Sequence, residues 1–351
     1  MKKTIKNLYT HFVAFRYLLY LEKGHNQYVP LIKRIKYLSK GFSSDKIDLY
    51  NLKANNYKNY LPDYHRRKTF QINGQYAVTL KDKNVFERLL KNSNMNIAIR
   101  NFGYIQNGNI HLNYKKENLD SLIGIIKQQK QLIIKKISGG GGKGVYILSY
   151  NNGVISLNEE ELLMNELKEF VFRLDHYLIQ EYISSADYSN RIYEGTINSI
   201  RILVMRGVKN NEPFIATAVH KFGSENTKPV DNVWNGGMTA LVDLNTGVLQ
   251  KSAYHSHNNQ NIQWQSSHPD TGEEIEGTEI PHWEYVKQSV LDLTKQLNFL
   301  NYVGWDVAVT PEGIKIIEGN NYSDVNILQI HQPLLIDDRV REFYQHYNII
   351  K

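Results

Sequence analysis

The chain has 351 residues, enough for two or three compact units, with 41% hydrophobic and 22% charged residues and a mean hydropathy of −0.47. This composition excludes a disordered chain and a collagen-like or coiled-coil rod, and the absence of cysteine excludes disulfides and thiolate metal sites. The net charge of +7 is uneven, because residues 1–91 carry 19 Lys and Arg against 6 Asp and Glu, whereas the remainder carries 23 against 29. Such asymmetry indicates a negatively charged partner, either nucleic acid or an anionic membrane surface.

The N-terminal quarter is predicted to be mainly helical. Apolar and aromatic residues recur at helical spacing through residues 5–38, with Lys and Arg on the other face, and Gly41 follows as a helix stop. Residues 44–60 and 81–91 are predicted to form two further helices. The nearby apolar stretch at residues 12–21 contains an arginine and falls short of the roughly 18 apolar residues of a membrane span. We therefore expect a cytoplasmic protein.

The middle of the chain is predicted to mix short strands with helices. The pattern predicts strands over residues 96–100, 104–105, 110–112, 131–137, 144–149 and 177–183. It predicts helices over residues 119–129 and 159–170.

The last part is predicted to hold antiparallel strands and one long helix. Strands are expected over residues 199–208, 214–220, 239–243 and 248–251, then a polar loop over 255–278, a helix over 283–297, a hairpin over 302–320 and a helical tail from residue 334. This order predicts an α+β fold class with three regions. They are a basic, mainly helical region at 1–92, a small α/β unit at 93–184 and a larger, mostly antiparallel α+β unit at 185–351.

A glycine loop lies between two predicted strands. Ser138 is followed by Gly139, Gly140, Gly141, Gly142, Lys143 and Gly144. Glycines let backbone N–H groups converge on an anion, and lysines add positive charge. The loop does not fit a Walker A motif, which needs Ser or Thr after its Gly-Lys, or a dinucleotide fingerprint, which needs a following helix. We predict a mobile hairpin tip that closes over phosphates; the alternative is a floppy turn without a ligand.

The predicted C-terminal hairpin carries two carboxylates and an amide. Its turn, Thr310-Pro311-Glu312-Gly313, fits a three-residue hairpin loop with a bulge, in which residue 310 faces residue 314. That register sets Asp306 opposite Glu318 and Gly304 opposite Asn320, all on one face. Because paired carboxylates repel, a cation between them is expected, and oxygen ligands suit Mg²⁺ or Mn²⁺ shared with phosphates. The alternative is that one carboxylate is solvated and the other caps a turn.

In this chain order the motifs resemble the ATP-grasp enzymes. The likeness is closest to the sugar-transfer-associated ATP-grasp family, found with polysaccharide biosynthesis genes, and it extends over most of the chain. It is carried by Lys40-Gly41-Phe42, residues 57–61, Asp82-Lys83, the lysine strand and glycine loop, Asn198-Ser199-Ile200-Arg201, Val230-Asp231-Asn232, Gly236-Gly237, Gly304-Trp305-Asp306 and Ile317-Glu318-Gly319-Asn320. The resemblance implies an ATP-grasp fold, with a lid subdomain at 93–184 and a larger subdomain with the metal site at 185–351, preceded by the helical region.

The resemblance also implies roles for individual residues. Lys83 and Lys135 would hold the phosphates of ATP, although many members have proline where this chain has Lys136. Arg201 and Lys135 would be the catalytic residues, with Arg201 facing the γ-phosphate. The metal ligands would be Asp306, Glu318 and Asn320. The other nucleotide contacts would be Gly139, Gly140, Gly141, Gly142, Lys143 and Gly144 in the loop, Gln180, Glu181, Tyr182 and Ile183 at the adenine hinge, and Asp187 at the ribose.

The implied reaction joins a carboxylate to an amine. ATP would convert the carboxylate to an acyl-phosphate, and the amine would then displace phosphate to give an amide. Positioning and charge neutralisation suffice for the phosphoryl transfer, so neither cysteine nor a Ser–His pair is needed. The family's setting favours a sugar-linked substrate in capsule or O-antigen synthesis. The alternative is a non-catalytic or kinase-like ATP-binding protein of the same pathway.

The histidines and the basic N-terminal region are two further candidate sites. His255, His257 and His268 fall in a predicted polar loop, where spaced histidines are more often solvated than metal-bound. The basic N-terminal region contains no recognisable nucleic-acid motif, so we expect no nucleic-acid partner. Its Lys and Arg are interpreted as a solvated face, or as attracting an anionic acceptor or the inner membrane leaflet.

Overall fold

A computed structural model of the protein describes residues 2–25, 29–93, 95–255 and 262–351. The N-terminal helices are α1 (Lys2–His25), α2 (Leu31–Leu38), α3 (Lys46–Leu49), α4 (Asp63–Lys68), α5 (Val78–Lys81) and α6 (Lys83–Lys91). The predicted helix at 81–91 is confirmed as α6, whose first turn is capped by the Asp82 carboxylate accepting from the backbone N–H groups of Asn84 and Val85.

Two N-terminal predictions are corrected. The segment 5–38 forms two helices and not one. Pro30 separates them, because a residue that precedes a proline disfavours the helical conformation, and α2 starts directly after Pro30. The prediction of one helix over 44–60 is wrong, since only α3 and a short 3₁₀ turn at Tyr57–Asn59 form there. Asn51 adopts a left-handed φ of 46°, and Asn56 accepts from the Lys58 N–H, so asparagine turn chemistry outweighs the helical spacing.

The first sheet has eight antiparallel strands in the order β3-β2-β1-β8-β4-β5-β6-β7. Its strands are β1 (Asn101–Gln106), β2 (Asn109–Leu112), β3 (Lys115–Glu117), β4 (Gln131–Lys136), β5 (Val145–Asn151), β6 (Val154–Leu157), β7 (Glu160–Leu162) and β8 (Tyr177–Glu181). Two helices accompany it, α7 (Leu119–Gln129) and α8 (Met164–Phe172).

Two predictions in this sheet are corrected as well. Residues 96–100 form no strand. The helix predicted over 159–170 begins only at Met164, because Asn158 and Glu159 take left-handed φ values and turn the chain from β6 into β7.

The second sheet has seven antiparallel strands in the order β13-β12-β11-β10-β9-β14-β15. Its strands are β9 (Ile200–Arg206), β10 (Pro213–Phe222), β11 (Met238–Val242), β12 (Leu249–His255), β13 (Ile262–Gln265), β14 (Tyr302–Thr310) and β15 (Gly313–Asn320). The helices of this part are α9 (Asp187–Ile192), α10 (Trp283–Gln296), α11 (Asn326–Gln329) and α12 (Asp338–His346). The predicted loop at 255–278 therefore contains a strand, β13. Two antiparallel sheets with surrounding helices confirm the α+β class.

The β14–β15 hairpin reaches its predicted pairing by a different route. The tip is tighter than predicted, because Thr310 pairs with Gly313 and not with residue 314. A bulge beside Asp306 then shifts the pairing by one residue and restores the predicted register. Asp306 therefore still pairs with Glu318, and Gly304 with Asn320. The extra residue of β15 at the bulge is Ile317.

Helices α10 and α12 cover the two faces of the second sheet. Trp283, Val286 and Leu293 of α10 join one buried cluster with Trp305, and Phe343 and Tyr344 of α12 join another with Tyr302. Both clusters contain residues of β9, β10 and β14, so the two helices pack across these three neighbouring strands. Among the residues described, the helices are all too short or too polar to cross a lipid bilayer.

Candidate active site

One cavity of about 350 Å³ is lined by residues from both sheets and by Lys83 at the start of α6. It brings together most of the residues proposed from the sequence: Lys83, Lys135, Gly139, Gly140, Gly141, Gly142, Lys143, Gln180, Glu181, Ile183, Arg201, Asp306, Glu318 and Asn320. Three others lie outside its lining. Gly144 packs near Lys136 and Tyr177, Tyr182 lies toward Glu194, and Asp187 is an exposed residue at the start of α9.

Lys135 and Lys136 both line the cavity, and Lys135 is the more buried of the two. Lys135 is 9% exposed and lies on the same face of β4 as Ile133, whereas Lys136 points to the other face of the strand and is exposed. Nearby, the Lys83 Nζ donates to the Gly139 carbonyl at 3.0 Å and lies 3.6 Å from the Glu318 Oε2. Burial, followed by the charge of Lys83, lowers the pKa of Lys135 to about 8.

The lowered pKa predicts that ATP binding takes up a proton at pH 9. Free Lys135 has lost its proton above pH 8, and the phosphate charges would raise its pKa again, so binding should take up about one proton. For the same reason, ATP affinity should fall as the pH rises above 8. Calorimetry in buffers of different ionisation enthalpy measures the uptake. It should vanish in Lys135→Met and persist in Lys136→Met; equal uptake in both variants would contradict the assignment.

Asp306 sits between two buried cations. Asp306 lies opposite Arg201, which is on the neighbouring strand β9. The Arg201 Nε donates to the Asp306 Oδ1, and the Arg201 Nη2 donates to the Asp306 Oδ2 at 3.0 Å. The Lys221 Nζ lies 3.3 Å from the Asp306 Oδ2 and 3.2 Å from the Asp231 Oδ1. Burial alone would raise the pKa of Asp306, but Arg201 and Lys221 outweigh it and hold that pKa below its usual range. Asp306 is therefore a buried anion with a fixed orientation.

Glu318 and Asn320 complete an oxygen-rich face beside Asp306. Asn320 donates its Nδ2 to the Gly304 carbonyl at 3.1 Å, so its Oδ1 is the end that can serve as a ligand. Within the described ranges no three His, Asp or Glu side chains converge on one point, so a metal here would rest on two carboxylates and an amide. That donor set fits Mg²⁺, which usually takes one or two carboxylates and completes its shell with water and substrate phosphates.

The glycine loop is fastened to a loop of the second sheet. The Asn232 Nδ2 donates to the Gly141 carbonyl at 2.8 Å, and Gly142, at φ +72°, packs against Val230. Between these two residues, Asp231 accepts from the Ser199 N–H and reaches Lys221. The Val230-Asp231-Asn232 segment thus connects the loop over the cavity to the charge network around Asp306.

Gly142→Ala is predicted to weaken ATP binding by about tenfold or more. A Cβ at this position would lie 2.4 Å from the Val230 Cγ2, and a left-handed alanine costs a further 1–2 kcal/mol or so. Gly140→Ala is the matched control, because a Cβ there meets nothing within 4 Å. Calorimetric titration with ATP measures the affinities. Val230→Ala should partly rescue Gly142→Ala; equal affinities for the two glycine variants would contradict a closed loop.

The apolar part of the cavity lining suits a nucleobase. Ile99, Ile133, Ile183 and Ile317 supply apolar surface there. The Gln180 Oε1 is buried and finds no hydrogen-bond partner within the described residues. The Glu181 carboxylate, in contrast, accepts from the Arg100 N–H at 2.7 Å. An unpaired buried oxygen beside an apolar slot fits a ligand that brings a donor, as the amino group of adenine does.

Several cavity residues were missed as functional residues. Lys221 stands one position beyond the predicted strand 214–220, and Asp231 belongs to the Val230-Asp231-Asn232 motif, to which the sequence assigns no role. Trp234 donates its indole N–H to Asp324 at 2.7 Å, and Asp324 pairs with Arg66 at 3.2 Å. Strand alternation could have identified Lys221, because it predicts that this lysine side chain lies on one face of a buried strand. Nothing in the sequence pairs Arg66 with Asp324, because 258 positions separate them (324 − 66).

Of His255, His257 and His268, the structure describes the side chain of His268 alone. His257 lies outside the described residues, and nothing is described of the His255 side chain. His268 is buried, contacts the Gly223 carbonyl through its Nε2 at 2.8 Å and stacks on Tyr193. Its environment is that of a structural residue.

Comparison with known proteins gives one strong match. A family model described as sugar-transfer associated ATP-grasp matches residues 63–343. No curated protein sequence matches the chain significantly.

Solved structures resemble the chain more distantly. One is the N5-carboxyaminoimidazole synthetase of Staphylococcus aureus complexed with ADP, at 10% identity, with 70% of this chain and 45% of that chain covered and a TM-score of 0.38. Another is the D-alanyl-alanine synthetase A of Vibrio cholerae, at 10% identity, with 77% and 67% covered and a TM-score of 0.45. A third is the VanG D-Ala:D-Ser ligase of Enterococcus faecalis, at 12% identity, with 76% and 62% covered and a TM-score of 0.42. The chain thus spans less than half the length of the first of these.

Proposed function

The chain belongs to the sugar-transfer associated ATP-grasp family, and on that premise we propose that it is an ATP-dependent carboxylate–amine ligase. Its substrate is proposed to be a sugar or uronic acid, modified in the cytoplasm during synthesis of a cell-surface polysaccharide such as capsule or O-antigen. The observation that supports the chemistry is a cavity whose lining brings Lys83, Lys135 and Arg201 together with Asp306, Glu318 and the glycine loop.

The residues divide into a nucleotide end and a reacting end. We propose that adenine lies between the isoleucines, with Gln180 accepting from its amino group, and that the phosphates reach Lys135, Lys83 and the glycine loop. Asp306, Glu318 and Asn320 would hold Mg²⁺ or Mn²⁺, which neutralises phosphate charge when bound. Asp187 stays a proposal for the ribose, although it lies outside the cavity lining in this structure.

The proposed reaction has two balanced steps. A carboxylate oxygen attacks the γ-phosphorus of ATP, the bond to ADP breaks, and an acyl-phosphate forms. A neutral amine then attacks the acyl carbon, phosphate leaves with the bonding electron pair, and the amine loses a proton. Arg201 is proposed to face the transferred phosphoryl group, because it lines the cavity and Asp306 fixes its guanidinium.

The parts of the chain would share this work. We propose that residues 93–184 act as the lid subdomain, that residues 185–351 carry the metal and acceptor side, and that the basic region 1–92 meets an anionic acceptor or the membrane leaflet. The N-terminal region also reaches the cavity directly, since Lys83 lines it and Arg66 pairs with its wall residue Asp324.

Hydroxylamine trapping tests the proposed chemistry. The protein, ATP and MgCl₂ are incubated with hydroxylamine and a panel of uronic acids and amino acids. Formation of a hydroxamate that requires both ATP and one carboxylate supports the ligase. Formation of ADP and a stable phosphorylated product without any hydroxamate would show a kinase, and failure to form ADP with any panel member would contradict the proposed ligase activity.

A further inference from the structure

We propose that α1 and α2 together form a docking surface for a membrane that contains anionic lipids. This deepens the proposed contact between the N-terminal region and a membrane, and it does not depend on the ligase chemistry. Its basis is an exposed apolar stripe on α1, bordered by basic and aromatic side chains, together with the exposed apolar side chains of α2.

Helix α1 is apolar on two opposite sides. Thr10, Ala14 and Leu18 are buried where α1 packs along α4. On the solvent side stand Leu8, Phe12, Phe15 and Leu19, each between 43% and 66% exposed. Their spacing of four, three and four residues aligns them in one stripe at the middle of the exposed face. Four large apolar side chains in line exceed the scattered exposure that is normal for a protein surface.

Helix α2 carries exposed apolar side chains of its own. Leu31, Ile32 and Ile35 are 58% to 83% exposed. The helix is fixed to α1, because the Arg34 Nε donates to the Glu22 carboxylate at 2.6 Å and the same carboxylate accepts from the Ser44 N–H at 2.8 Å. These contacts therefore fix the orientation of the exposed face of α2 relative to that of α1.

The charge around the stripe favours a membrane over a second copy of the chain. Between residues 8 and 40 there are six Lys and Arg but one acid, Glu22. The Arg16 guanidinium lies 5.7 Å from the centre of the Phe12 ring, and Tyr9 and Tyr20 stand at the same edge of the stripe. Apolar, aromatic and basic side chains together are typical of helices that lie in the membrane interface. Two copies meeting through this face would bring like charges together.

Vesicle binding tests the apolar part of the surface. The full chain is sedimented with vesicles of phosphatidylcholine mixed with phosphatidylglycerol, and with vesicles of phosphatidylcholine alone. We expect binding to the anionic vesicles, weakened about tenfold or more by Phe12→Glu combined with Phe15→Glu. The matched control is Phe172→Glu combined with Tyr285→Glu, two exposed aromatic residues elsewhere, which should bind like the wild type.

A second pair of variants tests the charge. Lys33→Gln with Lys36→Gln should weaken binding about tenfold or more, whereas Lys168→Gln with Lys251→Gln, also exposed, should not. Equal binding by the helix variants and their controls would overturn the proposal. So would a dimer in solution that Phe12→Glu with Phe15→Glu dissociates while no vesicle binding is found. Stabilisation by ATP is measured in every variant, so that loss of docking is distinguished from failure of the nucleotide site.

Discussion

Replacing Glu318 with glutamine is expected to lower the rate of ADP formation by about 10³-fold, with the folded state retained. Glu318 supplies one of two directly paired carboxylates at the reacting end of the cavity, so its charge is needed where phosphoryl transfer is proposed to occur. Its contact with Lys83 is long, at 3.6 Å, and its side chain is one-quarter exposed, so losing that contact should cost little stability. A coupled assay at saturating ATP measures the rate.

The matched control for this prediction lies on the same hairpin. Glu312 is an exposed carboxylate in the turn between β14 and β15, far along the strands from Asp306. Glu312→Gln should leave the rate within about twofold of wild type, because an exposed charge in a turn contributes little to the site. If Glu318→Gln kept near wild-type turnover, the metal-binding role of this hairpin would be wrong.

Replacing Asp306 with leucine is expected to lower the free energy of unfolding by about 3–5 kcal/mol. The substitution leaves Arg201 and Lys221 buried with one anion fewer, and a buried charge without its partner is costly. Urea unfolding followed by circular dichroism measures the loss.

A second substitution separates charge from packing in this prediction. Asp306→Leu combined with Arg201→Met removes the unpaired cation and leaves Lys221 paired with Asp231. Most of the lost stability should return, since hydrophobic replacement of a whole buried ion pair is often neutral. Activity should stay lost in both variants. A double variant as unstable as Asp306→Leu alone would show that shape, and not charge, holds this part of the site.

The sequence predicted local chemistry better than local geometry. The strand that carries Lys135, the glycine loop and the carboxylate hairpin were recognisable because each is a short motif with its own spacing. The pairing of Asp306 with Glu318 came out correctly although the turn was misjudged, because a bulge at Ile317 compensated for the tighter tip. No rule of alternation reports such a bulge, since it depends on how β14 packs against β9.

Long-range partners could not be predicted from one sequence. The ion pair between Lys221 and Asp306 and the hydrogen bond from Asn232 to Gly141 join residues 85 and 91 positions apart. They arise only when β10 and β14 flank β9 and the glycine loop folds over them. The exposed stripe of α1 was hidden for a different reason: both sides of that helix are apolar, so its spacing did not show which side faces the protein.

Thermal unfolding with ATP tests the account most directly. Saturating ATP with MgCl₂ should raise the melting temperature by several degrees, since a ligand at a hundredfold excess over its Kd stabilises by about 3 kcal/mol. The rise should shrink when EDTA replaces MgCl₂ and in Lys135→Met. An unchanged melting temperature at saturating ATP and MgCl₂ would contradict a nucleotide site in this cavity, and with it the proposed ligase.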